Sequence, residues 1–363
     1  MRITLFIDSL CGGGAQRQIV EMARLFSKYG HEVSMVTYND LPDDYTVNAE
    51  VKRIRLADGK SKIGRWWAII KYFNQDNFDA IISFLPGVSR FMLLATRLRI
   101  NRKFKIIVGE RAMISRPNSL TEKMMRGLYK YADYIVPNSD AQREQLCKIR
   151  PDWSNKIVTI INHTDVDYYT ATPLPASEPI RIAIFARYAA EKNCMRFARA
   201  VKLLKEHSSV PFHIDWYGHI KIKKFANCEQ EYLRTKQYVE ENDLADVFQL
   251  NDRIKDVRDV MPNYDAIALP SLVEGFANAI AEGICCGRPI LASDISDNKK
   301  MVINGVNGYI FDPEDEQSIC DAFMQYLNLT AEERSNMGKE SRLLAEKLFD
   351  EKTFVNNYIR LMA

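Results

Sequence analysis

The chain has 363 residues, 47% apolar and 27% charged, with a net charge of +3. That is more than one comfortable core and points to two domains of roughly 150–200 residues; the composition excludes a disordered chain, and no apolar run reaches the ~20 residues of a membrane-spanning helix. Seven cysteines, odd in number and without a CxxC pair, speak for reduced thiols in a cytosolic protein rather than a disulfide framework.

The opening "MRITLFIDSLCGGG" reads as a short hydrophobic strand running into glycines, not as a signal peptide, so a cytoplasmic chain starting at Met1 is expected. Further short β-rich runs follow at 31–38, 78–85, 104–110, 132–139 and 156–162, alternating with helix-length segments such as "GAQRQIVEMARLFSKYG". This rhythm predicts a parallel sheet covered by helices on both faces over residues 1–169. A polar, proline-punctuated stretch, "TATPLPASEP" at 170–179, has linker composition. The rhythm restarts over 180–348, with strands expected at 180–186, 211–218, 245–251, 264–271 and 288–293. The fold class is therefore α/β, two Rossmann-like domains with a cleft between two lobes. The closing "EKTFVNNYIRLMA" has the pattern of an amphipathic helix.

Ligands of such domains sit beyond the carboxyl ends of the strands, so the strand-to-helix turns are the places to read. In the first, "DSLCGGGAQRQ", Gly12, Gly13 and Gly14 permit close backbone approach and Arg17 lies one turn into the helix, a candidate acceptor or phosphate loop. It is neither GxGxxG nor a Walker loop, and a plain tight turn is the competing reading. In "FARYAAEKN", Arg187 and Lys192 follow the first strand of the second half, two cations suited to a diphosphate; ordinary surface charge is the alternative. The third turn is "YDAIALPSLVEGFANAI". A helix is expected to start near Phe276, with Glu274 in the loop before it and Glu282 eight residues on, ~12 Å along an axis if both were helical. Glu282 sits among Ile280, Ala281, Gly283 and Ile284, and a semi-buried acid wants a partner.

"PSLVEGFANAIAEGICCGRPILAS" resembles the signature of family 4 glycosyltransferases of the two-domain GT-B type. Matches in the expected order extend this over nearly the whole chain: the glycine turn with Arg17, "PNS" at 137–139, "NHTD" at 162–165, Arg187 with Lys192, and "NGVNGYIFDPED" at 304–315. The resemblance implies two Rossmann-like domains facing each other across a cleft, with residues 349–363 returning to the first. It implies that Arg187 and Lys192 bind a donor diphosphate and that Glu274 contacts the transferred sugar. Backbone at Gly275, Phe276, Ala277 and Asn278 would bind sugar and phosphate, Glu282 the ribose, and backbone at Arg253 and Ile254 the nucleobase. The expected reaction is retaining transfer of a hexose-type sugar, from a UDP-sugar in preference to a GDP-sugar, to a glycan or lipid-linked acceptor in cell-surface polysaccharide or glycolipid synthesis.

Two departures from the family pattern stand out. Ala186 precedes Arg187 where the family has glycine, and "VGERAMISRP" lacks the histidine many members carry near the donor sugar, leaving Arg111 first and Glu110 second as replacements. No cofactor and no metal are expected; "DVD" at 165–167 is read as structural, not as a metal-binding Asp-x-Asp. Residues 51–130 hold 18 Lys+Arg against 5 Asp+Glu. Within them "KIGRWWAIIKYF" sets Ile63, Trp66, Trp67, Ile70 and Phe73 near one helical face beside Lys62, Arg65 and Lys71, a composition suited to an anionic membrane surface on the inner face of the cell membrane; core tryptophans on a solvated helix are the alternative. Nucleic acid is disfavoured because no recognition motif accompanies the charge. A nucleotide-sugar epimerase or phosphorylase on the same fold, and a non-catalytic two-lobed binding protein, remain as rivals. An oxidoreductase lacks its glycine fingerprint at either first turn.

Overall fold

The computed structural model describes all residues except 12, 40, 42–44, 57–60, 76–77, 98–101, 112, 115–118, 176–177 and 222–226, and the side chain of Lys62. The chain divides into two compact units, Met1–His163 with Asp350–Ala363, and Thr164–Phe349.

In the first unit the strands are β1 (Arg2–Ile7), β2 (Glu32–Thr37), β3 (Lys52–Arg55), β4 (Ala80–Phe84), β5 (Lys105–Glu110) and β6 (Tyr134–Pro137). Its helices are α1 (Gly14–Lys28), α2 (Lys62–Phe73), α3 (Pro86–Arg97), α4 (Leu120–Arg126) and α5 (Asp140–Ile149). The sheet is parallel, in the order β3-β2-β1-β4-β5-β6. Period-two alternation divides β1 between two cores: Ile3, Leu5 and Ile7 pack with Ile19, Met22 and Phe26 of α1, while Phe6 packs with Ile69 and Phe73 of α2 and Met92 of α3. Burial on both faces is why β4, "AIISF", is apolar without interruption apart from Ser83, whose hydroxyl donates to Ser89 at 2.8 Å. Strand β3, "KRIR", lies outside the strands expected from sequence, because an edge strand carries no apolar run.

The second unit contains β7 (Ile180–Phe185), α6 (Cys194–His207), β8 (Phe212–Gly218), α7 (Asn227–Glu241), β9 (Phe248–Asp252), β10 (Ala266–Leu269), α8 (Asn278–Cys285), β11 (Ile290–Ser293), α9 (Asn298–Met301), β12 (Gly308–Phe311), α10 (Glu316–Leu327) and α11 (Ala331–Leu348). Its parallel sheet runs β12-β11-β10-β7-β8-β9. The last helix, α12 (Glu351–Met362), belongs to the first unit: Phe354, Val355 and Tyr358 join the α1 core, and Glu351 pairs with Arg24 at 2.9 Å and with Lys28.

Four sequence expectations need correction. Residues 157–162 form no strand; a single bridge joins Ile157 to Ile135, and the amides of Val158 and Ile160 donate to Ile135 and Pro137 beside β6. The boundary between units falls after His163, not after residue 169. One guanidinium nitrogen of Arg342 donates to the carbonyls of Val166, Tyr169 and Cys285, each at 2.9 Å, which fastens 164–169 to the second unit. The expected linker at 170–179 is likewise held there at its start, where fully buried Arg288 reaches the Thr172 hydroxyl and the Pro173 carbonyl; Ala176 and Ser177 lie outside the described residues. Helix α2 does not gather its apolar residues on one face: Ile69 and Phe73 are buried and Trp66 packs on Phe91, whereas Ile63 and Trp67 are 73% and 64% exposed.

In each sheet the chain reverses its winding once, between β1 and β4 and between β7 and β10. The loops leaving these adjacent strands diverge to opposite faces and open a crevice at their carboxyl ends.

Candidate functional site

In the second unit Arg187, Lys192 and Glu274 are brought together at the crevice between β7 and β10. After β7 the chain makes a short turn over Ala190–Lys192, and Asn193 in left-handed conformation (φ 67°) launches α6. The Asn193 amide nitrogen donates to the Pro313 carbonyl at 2.7 Å, tying this turn to the "DPED" loop. After β10, Leu272 N–H donates to the Glu191 carbonyl at 2.8 Å and joins the two turns. The Lys192 ammonium, 15% exposed, lies against Oε1 of Glu274, 13% exposed. Ser271, fully buried, donates its hydroxyl to the same oxygen at 2.8 Å. Arg187 pairs with Glu191 at 3.0 Å on the more exposed side.

Helix α8 begins at Asn278, two residues later than the sequence implied, because Gly275, Phe276 and Ala277 first turn outside helical geometry; Asn278 N–H donates to the Phe276 carbonyl at 3.1 Å, and no side chain caps the helix. Of the two glutamates only Glu282 is helical, so the ~12 Å spacing expected for two helical positions does not apply. Glu282 is 5% exposed, one turn into α8 and beside buried Ile280, Ala281 and Ile284. Gly275 is steadied through its carbonyl by the Ser296 hydroxyl at 3.1 Å. At the other edge of the sheet Arg253 lies 3.3 Å from Nε2 of His219, with Ile254 half-buried beside it. Burial and the charge of Arg253 hold the His219 imidazole below its ordinary pKa.

In the first unit Gly13 has φ 91°, a conformation that side-chain-bearing residues rarely adopt, which favours glycine just before α1 starts at Gly14. Gly12 lies outside the described residues. Arg17 is half-buried one turn into α1. Glu110, at the end of β5, is 1% exposed and has both oxygens engaged: Arg126 forks onto them at 3.0 Å each, and the Tyr129 hydroxyl donates at 2.5 Å. Burial and the Glu110 charge push the Tyr129 hydroxyl well up. Arg111 stacks 3.8 Å over the Phe84 ring and donates to the hydroxyl of Tyr358 in α12 at 2.9 Å.

His163, in "NHTD", is buried at 2%, with its ring nitrogen 2.9 Å from Glu21. Burial alone would raise the Glu21 carboxyl, but hydrogen bonds from Arg24 and His163 overcome it and hold it at about 2. Asp165 accepts the N–H groups of Asp167 and Tyr168 at 3.0 Å each, closing a turn. Among the described residues no cluster of His, Cys, Asp and Glu has the form of a metal site.

The structure thus joins Lys192 directly to Glu274, and brings Arg187 near through Glu191. Ser271, Asn193 and Ser296 were missed by sequence reasoning. Ser271 stood in the quoted "PSLVEGF" three residues before Glu274, the spacing of a local side-chain bond in a turn.

Sequence models of two families match the chain: Glycosyltransferase Family 4 over residues 12–168 and Glycosyl transferases group 1 over residues 171–344. Among curated proteins, an uncharacterized glycosyltransferase of Methanocaldococcus jannaschii is 25% identical over 122 residues, 33% of this chain and 34% of that protein. A D-inositol 3-phosphate glycosyltransferase of Xylanimonas cellulosilytica is 24% identical over 225 residues, 59% of this chain and 51% of that protein. The chain therefore spans about a third and about half of the length of these two curated relatives. Among solved structures, Anabaena HepE in complex with UDP has a TM-score of 0.77 at 16% identity, over 99% of each chain. The two models succeed one another along the chain as the two sheets do, and the chain belongs to the group 1, family 4 glycosyltransferases, with their two-domain α/β GT-B fold.

Proposed function

We propose that the chain is a retaining glycosyltransferase that moves a hexose-type sugar from a nucleotide diphosphate sugar to a hydroxyl of a glycan or lipid-linked acceptor. The observation that carries this reading is the Lys192–Glu274 pair at the β7/β10 crevice, a cation for the diphosphate beside a carboxylate for sugar hydroxyls. In the reaction the bond from the anomeric carbon to the phosphate oxygen breaks and its electron pair leaves with the diphosphate. The acceptor oxygen bonds to the same face of that carbon, and its proton passes to the departing phosphate. Arg187 and Lys192 supply the charge that stabilises the leaving group, which makes a metal unnecessary. A UDP-sugar is favoured as donor, in keeping with the UDP and UDP-glucose complexes of the Anabaena protein.

Thermal shift with UDP- and GDP-sugars tests the donor, since a ligand of the native state raises the melting temperature by mass action. The expected result is a rise with a UDP-sugar and transfer or slow hydrolysis that survives EDTA. Loss of turnover with EDTA would overturn the metal-free mechanism, and donor isomerisation without acceptor would favour an epimerase.

The reading includes docking to the inner face of the cell membrane. Ile63 and Trp67 sit one turn apart on the exposed face of α2, Leu120 and Met124 (74% and 60% exposed) one turn apart on α4, and α3, with Leu94 at 37%, packs against both helices. Lys71, Arg97 and Lys123 are exposed among them. Aromatic and aliphatic groups interleaved with cations match the chemistry of an anionic bilayer surface. Among the described residues no helix is long and apolar enough to cross a membrane. In flotation with phosphatidylglycerol vesicles the chain should rise at low salt and be released at high salt, and Trp67→Ala should float less; salt-insensitive absence of binding removes this part.

A further inference from the structure

Glu274 lies in the turn that follows β10, and a glutamate in a loop keeps three rotatable bonds unless something holds its carboxylate. Here the holding is one-sided. The Ser271 hydroxyl donates to Oε1 at 2.8 Å, and the Lys192 ammonium lies against that same oxygen. Among the described residues Oε2 accepts no hydrogen bond. Ser271 itself is 0% exposed, and the turn that carries it is pinned to the β7 turn by the Leu272 N–H bond to Glu191. The hydroxyl is therefore set by the backbone of two joined turns rather than by a mobile side chain.

The two donors on Oε1 differ in what a donor substrate does to them. A diphosphate arriving in the crevice carries more charge than one carboxylate and competes for the lysine ammonium. The serine hydroxyl is neutral and buried, and has no such competitor. Once Lys192 turns to the phosphate, Ser271 is what still fixes the plane of the Glu274 carboxylate.

We propose that Ser271 is a positioning residue: it holds Oε1 of Glu274 so that Oε2 is presented to the hydroxyls of the transferred sugar while Lys192 serves the diphosphate. This rests on the reading of Glu274 as the sugar contact, and it assigns the neighbouring serine a share of turnover rather than of donor affinity. A purely structural serine, satisfying its own hydroxyl inside a buried turn, would on removal lower stability without separating kcat from binding.

The experiment uses the full chain and the donor that wild type turns over among UDP-glucose, UDP-galactose, UDP-N-acetylglucosamine and GDP-mannose, with release of nucleoside diphosphate as the readout and the affinity for UDP or GDP alone as the control. Ser271→Ala is expected to lower kcat about tenfold, with nucleotide affinity within about twofold of wild type and little change in melting temperature, the signature of a misaligned contact. Ser271→Thr, which keeps the hydroxyl, should stay within about threefold of wild type. The double variant Ser271→Ala/Glu274→Gln should be no slower than Glu274→Gln alone, since the serine acts only through that carboxylate. Wild-type kcat in Ser271→Ala, or losses that add in the double variant, overturns the proposal while leaving the sugar-contact reading intact. Undiminished turnover in Glu274→Gln overturns that reading instead, so the two failures are told apart.

Discussion

Lys192→Ala should reduce donor turnover by about 10²- to 10³-fold, more than any other single change among the cations of the crevice, because on the proposed reading it removes the half-buried charge that faces the leaving group. Lys192 is 15% exposed, whereas the Arg187 side chain is 33% exposed and already paired with Glu191, itself 45% exposed. A more exposed charge is more strongly screened by solvent, so Arg187→Ala should cost less. The lysine change has a second consequence in the same place: Glu274 loses its cation and keeps only the Ser271 hydroxyl on Oε1. Lys192→Arg should not restore the rate, because a planar fork cannot take the position of a compact ammonium between a carboxylate and a phosphate. The check is nucleoside diphosphate release with melting temperature measured alongside. A folded Lys192→Ala protein that turns donor over at the wild-type rate would sink the assignment of Lys192 to the leaving group, whereas donor binding without turnover by the wild-type chain would favour a two-lobed binding protein without catalysis.

The crevice of the second unit was legible in the sequence because its parts are local. "IRIAIF" and "AIAL" are strands buried without interruption, each followed within a few residues by the charged turn, and a parallel sheet sends such turns to one edge. What was not legible depends on distant partners. Nothing in "VGERAMISRP" announces that Arg126 and Tyr129, 16 and 19 residues on, come back to occupy both oxygens of Glu110. The boundary between units was misplaced for the same reason: Arg342 stands 176 residues beyond the Val166 carbonyl it binds. Helix α2 failed differently. Trp66 and Trp67 are adjacent in sequence but ~100° apart around the axis, so one turns to Phe91 and the other to solvent, and composition alone does not distinguish them.

The family resemblance put Arg111 in place of a sugar-side histidine, and the structure gives it two partners, the Phe84 ring and the Tyr358 hydroxyl. Glu110 is a poor candidate for proton handling, because it is 1% exposed and three of its carboxylate's lone-pair sites already accept from Arg126 and Tyr129, while Arg111, always charged, can donate hydrogen bonds to a substrate but not exchange a proton with it.

Glu274→Gln and Glu282→Gln should separate into a turnover defect and a binding defect. Glu274 sits in the non-helical turn with one oxygen clamped, and on the proposed reading its hydrogen bonds to sugar hydroxyls strengthen as positive charge develops at the anomeric carbon; a neutral amide would accept them less well and keep no attraction for that charge. A fall in kcat of about 10²-fold with nucleotide affinity little changed is expected. Glu282 lies inside α8 and is 5% exposed, and the proposed reading puts it at the nucleotide end, away from the bond that breaks. Glutamine there should raise KM for the donor about tenfold and leave kcat within about threefold, since a contact equal in ground and transition states affects binding alone. The two acids cannot then form the acid/base pair of a glycosidase, which needs both carboxyls at one scissile bond. Steady-state kinetics with UDP titration decides it: equal losses for the two variants, confined to affinity, would remove the division of roles and return Glu274 to a second nucleotide contact.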